Sequence, residues 1–221
     1  MILLAAFQTL LHRTAVADDL IVGTPVAGRR DMASPPAARL LLASTSPRRR
    51  EILELLRVPF DAVAPEYEET EDDPVAHAVG KARSVLSVAE GRPVLGCDTE
   101  VVRGGRVYGK PASAEEAEEM LESLSGRTHE VVSGLALLTG AWEEVHSETT
   151  LVTFRSLAPR DLAHYVASRE WEGRAGAYAI QGLGASLVER IDGDFFNVVG
   201  LPAALLVRLL AERFPGTYGF G

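Results

Sequence analysis

The sequence predicts an α/β or α+β fold, one sheet covered by helices, and three observations carry that expectation. Runs rich in Val, Leu and Thr with strand character alternate with stretches whose apolar residues recur at i, i+3 and i+4. No segment repeats, which excludes a solenoid or propeller. At 221 residues and 47% hydrophobic content, the chain can bury a sizeable core in one large domain or two small lobes.

Residues 1–38 are assigned to an amino-terminal extension, 39–215 to the folded domain and 216–221 to a tail. Met1–Phe7 is apolar but lacks a preceding basic region and is too short to span a membrane. Met32 opens Met32-Ala33-Ser34-Pro35-Pro36 and reads as an alternative start.

The elements then follow in order. Leu40–Ala43 is a short apolar strand that breaks at Ser44-Thr45. Ser46 is the expected N-cap and Pro47 the first residue of a helix reaching about Arg57, with Ile52, Leu55 and Leu56 on its inner face. Phe60–Ala64 alternates as a strand does, and the acidic run from Glu66 to Asp73 reads as a solvated loop from which one or two carboxylates could turn inward as metal ligands. Asp73-Pro74 caps a second helix with Val75, Val79, Ala82 and Leu86 inside, and Lys81 one position off that stripe. Val94–Cys97 is a strand ending on Asp98-Thr99, where ligand sites of open α/β sheets lie.

Gly104-Gly105 predicts a hairpin joining Glu100–Val102 to Arg106–Tyr108. Ser113 and Glu116 form a capping box for a helix that buries Ala117, Met120, Leu121 and Leu124. Thr128–Thr139 and Val145–Arg155 are strands connected through Gly140. Pro159 opens a helix burying Leu162, Tyr165 and Val166. Ala185–Ile191 is a last strand, and Asp192-Gly193-Asp194 turns the chain toward a closing apolar helix beyond Pro202.

Composition narrows the function. A net charge of −9 and a pI near 5.1 argue against a general nucleic-acid-binding face. The single cysteine, Cys97, excludes an internal disulfide and fits a reducing compartment. GxGxxG and Walker loops are absent. The basic residues are almost all arginine, with Lys81 and Lys110 the two lysines, and Asn197 is the one asparagine.

The first turn of the Pro47 helix carries Arg48, Arg49 and Arg50, although a helix N-terminus repels cations by a few tenths of a kcal/mol each. Free amides, serine hydroxyls and guanidiniums at one spot suit a phosphate. Arg50 is expected in solvent or against Glu54, and His129 is read as structural.

Ser44-Thr45-Ser46-Pro47-Arg48-Arg49, Glu68-Glu69, Lys81-Ala82, Gly96-Cys97-Asp98-Thr99, Gly109-Lys110-Pro111, Leu124–His129, Ile180-Gln181-Gly182 and Val199-Gly200-Leu201-Pro202 together resemble, in order, the Maf-like nucleoside triphosphate pyrophosphatases. The resemblance spans roughly Leu40 to Phe214. It implies a fold related to the inosine triphosphate pyrophosphatases, an elongated mixed sheet flanked by helices with a cleft between two lobes. It also implies a cytoplasmic homodimer that cleaves a nucleoside triphosphate between its α and β phosphates with a divalent metal, Mg²⁺, Mn²⁺ or Co²⁺.

On this chain the resemblance makes Asp98 the catalytic carboxylate and gives the metal to Glu69 and Asp98. Ser44, Arg48, Arg49, Lys81 and Lys110 would hold phosphates, and Gln181 would help select the base. Arg48, Thr99 and Gln181 match the dTTP/UTP branch; the 7-methyl-GTP branch typically carries tryptophan, glutamine and Ser-Glu-Gly in these motifs. Cys97 and Glu100 depart from the pattern, standing where a small and an apolar residue are usual. Glu100 reads as an exposed strand position, with a metal-ligand role as the alternative. A non-catalytic nucleotide-binding regulator of septum formation and a nucleotidyltransferase are the rival readings.

Overall fold

The computed structural model describes residues 39–68 and 73–221; the amino-terminal extension and Glu69 lie outside the described residues. Seven strands form one mixed sheet in the order β2-β1-β3-β5-β6-β7, with β4 paired to β3. The strands are β1 (Leu40–Ala43), β2 (Phe60–Val63), β3 (Val94–Arg103), β4 (Arg106–Tyr108), β5 (Thr128–Leu138), β6 (Glu143–Phe154) and β7 (Val188–Asp192). The α-helices are α1 (Pro47–Leu55), α2 (Pro74–Ser84), α3 (Ala114–Leu124), α4 (Pro159–Ala167), α5 (Phe195–Val199) and α6 (Ala203–Arg213). β1 runs parallel to both β2 and β3, and the remaining pairs are antiparallel.

One irregularity of the sheet positions the site. β5 covers one edge of β3 continuously from Val94 to Val102. The other edge is shared: β1 pairs only with Val94 and Leu95, and β4 only with Val101 to Arg103. Between these two strands the edge of β3 from Gly96 to Glu100 has no neighbouring strand among the described residues, and Asp98 sits in the middle of that gap. Asp98 is therefore not at a strand end as expected from sequence. The chain continues through it into the hairpin because β5 pairs straight across the polar residues, with Asp98 opposite Gly134 and Thr99 opposite Ser133.

α2 lies on one face of the sheet, and two glycines set how close it comes. A Cβ at Gly96 would stand 2.0 Å from the Ala78 carbonyl oxygen, and one at Gly134 would stand 2.1 Å from that of Pro74. The backbone of the helix thus rests on bare backbone of β3 and β5. Its inner face is Pro74, His77, Ala78, Lys81 and Ala82, which corrects the predicted stripe: Val75 and Val79 are only half-buried, and Lys81 belongs to the buried face. Asp73 caps the helix as predicted, its Oδ1 accepting from the N–H groups of Val75 and Ala76.

A second correction concerns α1. Ile52 and Leu53 are its buried residues, while Leu55 is 64% exposed, and the helix stops at Leu55 with Arg57 at φ 55°. Ser46 occupies the N-cap position without capping; the Ser46 N–H instead donates to Ser44 Oγ at 3.1 Å.

The opposite face of the sheet carries the larger core, where Leu40, Leu42, Leu95 and Leu135 meet α3 and α6 through Leu121, Leu124, Leu206 and Leu209. α3 buries the four predicted residues. Its capping box is looser than expected: Ser113 Oγ accepts from Glu116 N–H, but the Glu116 carboxylate accepts from Ala112 N–H. Gly104 and Gly105, at φ 58° and 79°, make the two-residue turn of the predicted β3–β4 hairpin. The last strand begins later than predicted, at Val188, after a 3₁₀ turn over Leu183–Leu187. Within the carboxyl-terminal six residues, Tyr218 is buried against Phe214.

Candidate active site

The gap in the sheet opens into a cleft of about 1020 Å³. Ser44, Arg48 and Arg49 enter it from the β1–α1 turn, Lys81 from α2, and Asp98 and Thr99 from β3. Lys110 and Gln181 line it as well. The sequence-derived candidates within the described residues therefore converge on one cavity, together with three that sequence reasoning passed over or discounted: His77, Glu100 and Arg174.

Because side chains alternate along a strand, Gly96, Asp98 and Glu100 face α2, and Cys97, Thr99 and Val101 face the other way. Lys81 Nζ donates to Asp98 Oδ1 at 2.6 Å, and Arg49 Nη2 stands 4.0 Å from the same oxygen. The second oxygen, Oδ2, is turned toward His77 Nδ1 at 3.3 Å. Glu100 Oε1 lies 4.0 Å from that nitrogen. With its side chain 13% exposed, Glu100 is a shielded residue of the site rather than the exposed strand position expected. His77, Asp98 and Glu100 each offer one ligand atom, all within 4.8 Å of one another. Two carboxylates and an imidazole fit a divalent cation chemically.

Arg49 is held by its neighbours before any ligand arrives. Its Nε donates to the Gly200 carbonyl at 2.9 Å and its Nη1 to Ser44 Oγ at 3.2 Å. The Gly200 carbonyl also accepts from Thr99 Oγ1 at 3.4 Å and Cys97 Sγ at 3.6 Å. Gly200 itself has φ 132°, a conformation that favours glycine. Thr99 completes its hydrogen bonding with Ser133 Oγ at 2.8 Å, on the opposite face of β3 from the Asp98 carboxylate. Burial raises the Cys97 thiol pKa, with Arg49 opposing that shift, so the thiol stays protonated.

Arg174 brings a different kind of cation. Its Nε is buried without a hydrogen-bond partner among the described residues, and burial lowers its pKa. Gly176 N–H donates to Gly109 O at 3.1 Å, which ties this loop to the Gly109-Lys110 segment, and Arg174 lines the same cleft as Lys110. No spacing rule singled it out, since it lies in an irregular segment between α4 and the 3₁₀ turn at Ala175–Ala177.

Arg50, His129 and Asn197 are not among the residues that line the cleft. Arg50 is exposed. His129 is buried, with Nε2 at 2.9 Å from Tyr178 Oη and edge-on to Phe154. Burial, helped by the Arg103 charge, pushes its pKa down to about 4, so it is neutral at pH 7. Asn197 is fully buried and donates from Nδ2 to Val131 O at 3.0 Å and Thr150 Oγ1 at 3.1 Å, a fastening between α5 and the sheet.

A mixed sheet interrupted beside a shielded carboxylate, with lysine and arginine drawn around it and further cations lining the same cleft, is equipment for binding a polyanion. The comparisons give that class its family. Residues 39–213 match the Maf-like protein family, and the chain belongs to it. Among its relatives are proteins named dTTP/UTP pyrophosphatase from Bacillus cytotoxicus and Gloeobacter violaceus. Each is 46% identical over 181 residues, covering 79% of this chain and 95% of the relative. The protein of that name from Bacillus velezensis is 44% identical over 181 residues, 79% of this chain and 96% of its own. The Staphylococcus aureus Ham1 protein overlaps in part, with a TM-score of 0.41 and 16% identity across 52% of this chain and 71% of that one; nothing is drawn from it.

Proposed function

We propose that this protein hydrolyses nucleoside triphosphates between the α and β phosphates, releasing the monophosphate and pyrophosphate, with dTTP and UTP as its first substrates. The observation that carries the reading is the setting of Asp98: one oxygen held by Lys81 at 2.6 Å, with Arg49 at 4.0 Å, at the floor of a cleft otherwise rich in cations. The names of its relatives at 42–46% identity support the same substrate pair.

Chemically, phosphoanhydride hydrolysis needs charge neutralisation, an oriented water and a stabilised leaving group. Asp98 is the carboxylate that orients the water. Lys81 holds it by a hydrogen bond and, with Arg49, draws phosphate oxygens to the same point. Ser44 and Arg48 extend this group, while Lys110 and Arg174 receive the rest of the triphosphate. Gln181 presents an amide that can pair with the imide edge of thymine or uracil, and Arg48 and Thr99 complete the proposed specificity set. A divalent metal, Mg²⁺, Mn²⁺ or Co²⁺, held by Asp98 with Glu69 as a proposed second ligand, would neutralise phosphate oxygens and acidify the water. A cytoplasmic homodimer is part of the proposal.

The test is a panel of nucleoside triphosphates, modified pyrimidines and 7-methyl-GTP included, assayed for pyrophosphate with Mg²⁺, Mn²⁺ or Co²⁺. Preferential pyrophosphate release from dTTP and UTP is expected. Binding without turnover, or release of orthophosphate alone, refutes the reading and favours a regulatory nucleotide-binding role.

A further inference from the structure

We infer that His77 and Glu100 are, with Asp98, direct ligands of the divalent cation, and that this imidazole-containing set makes the site prefer Mn²⁺ or Co²⁺ to Mg²⁺. The inference builds on the hydrolase reading, but its evidence is separate from it.

The two oxygens of Asp98 face different partners. Oδ1 belongs to the cations, Lys81 at 2.6 Å and Arg49 at 4.0 Å. Oδ2 faces His77 Nδ1 at 3.3 Å, which in turn faces Glu100 Oε1 at 4.0 Å. Metal–ligand bonds of about 2.1 Å put adjacent ligand atoms about 3.0 to 3.4 Å apart and opposed ones about 4.2 Å apart. The first separation suits neighbouring ligands and the second a wider, nearly opposed pair. Asp98 would then bridge the cation on one side and the phosphate-binding ammonium on the other.

The ring itself argues for a ligand. His77 is 5% exposed, and its Nε2 is buried without a hydrogen-bond partner among the described residues. Its polar contacts in the site are at Nδ1. With its proton on Nδ1, the neutral ring would donate to Asp98 Oδ2 at 3.3 Å and leave a bare lone pair buried at Nε2. A neutral ring protonated at Nε2 would turn a bare Nδ1 lone pair on two carboxylates unless a cation lies between them. One divalent ion engages the imidazole and both oxygens at once.

The ligand types decide the metal. Carboxylates alone suit Mg²⁺, which dehydrates reluctantly and binds oxygen; imidazole shifts preference to first-row transition ions. His77 carried no signal in sequence, and Glu100 only its departure from an apolar position, because the two lie 23 positions apart on a helix and a strand and only the close seating of α2 on Gly96 and Gly134 brings them together.

Nucleotide-free full-length protein titrated with Mn²⁺ tests this by electron paramagnetic resonance. The bound ion should show directly coupled ¹⁴N in its spin-echo modulation, and Mg²⁺ should compete at least tenfold less well than Mn²⁺. His77→Leu should abolish the nitrogen coupling and weaken Mn²⁺ at least tenfold. Glu100→Gln, nearly isosteric, should keep the coupling and weaken both metals. Absence of ¹⁴N coupling in the wild-type protein overturns the assignment whether or not the leucine variant folds, and so does unchanged Mn²⁺ affinity in Glu100→Gln. Pyrophosphate release from dTTP without ¹⁴N coupling would sink the ligand set alone. The coupling without pyrophosphate release would sink the hydrolase reading alone.

Discussion

Replacing Gly134 with alanine should separate the Asp98 carboxylate from Lys81 without touching either residue. The new Cβ would stand 2.1 Å from the Pro74 carbonyl oxygen, and ordinary contact begins at 3.4 Å, so α2 must withdraw by about 1.3 Å at that point. The obstacle is backbone, so no side-chain rotation relieves it. Overpacking of this kind costs about 1–3 kcal/mol. If half of the withdrawal reaches Lys81, its 2.6 Å bond to Asp98 lengthens to roughly 3.2 Å and loses its charge-assisted strength. Misplacement of a catalytic group by about 1 Å lowers rates up to about 100-fold, so kcat for pyrophosphate release should fall about 10- to 100-fold. Urea unfolding and initial rates on dTTP measure the two effects. Gly140→Ala serves as the control, since nothing lies within 4 Å of that position and its φ is ordinary. Wild-type stability together with wild-type kcat in Gly134→Ala would refute the account of how α2 is seated.

Three further expectations follow from the site and its surroundings. Asp98→Asn keeps the shape but removes the charge, so turnover should be abolished while dTTP still binds; retained turnover would remove Asp98 from its role. Arg174→Gln should raise KM for dTTP about 10-fold, with weaker competition by pyrophosphate and unchanged competition by the monophosphate, because its half-buried guanidinium, with Nε unpartnered among the described residues, lines the same cleft as Lys110; unchanged pyrophosphate inhibition would contradict that. His129, whose folded pKa is about 4 against 6.5 unfolded, contributes stability that is fully present above pH 6.5 and lost as pH falls toward 4, up to about 3 kcal/mol. Urea titrations across that range should show the loss, and His129→Leu should remove that part of the slope.

Local chemistry was legible in the sequence wherever one stretch settled it. The Asp73-Pro74 cap, the Gly104-Gly105 turn and the buried face of α3 needed only neighbouring residues, and the structure has them as expected. The gathering of Ser44, Arg49, Lys81 and Asp98 was legible through the resemblance of their motifs, with the scarcity of lysine adding weight to Lys81. What escaped depended on a partner distant in sequence. Apolar periodicity chose Val75 and Val79 for the inside of α2, but the facing surface is polar β3, so His77 and Lys81 turn inward instead. Asp98 looked like the end of a strand because polar residues interrupt the apolar run; pairing with Gly134 and Ser133 carries the strand on. Leu55 was assigned inward by spacing, yet α1 ends there and leaves it in solvent.

The uncovered edge of β3 has a consequence for solubility. An unpaired strand edge is a template on which another chain can add a strand, the first step of aggregation. Here the free stretch runs from Gly96 to Glu100, about 17 Å at 3.3 Å per residue, and it is closed at each end by β1 and β4. Asp98, paired with Lys81, and Glu100 put charge beside that interval. Both carboxylates are already shielded beneath α2, so what blunts this edge is its shortness: five residues between two fixed strands leave an incoming chain little to pair with. The opening that admits a ligand is thereby guarded against the protein's own unfolded copies.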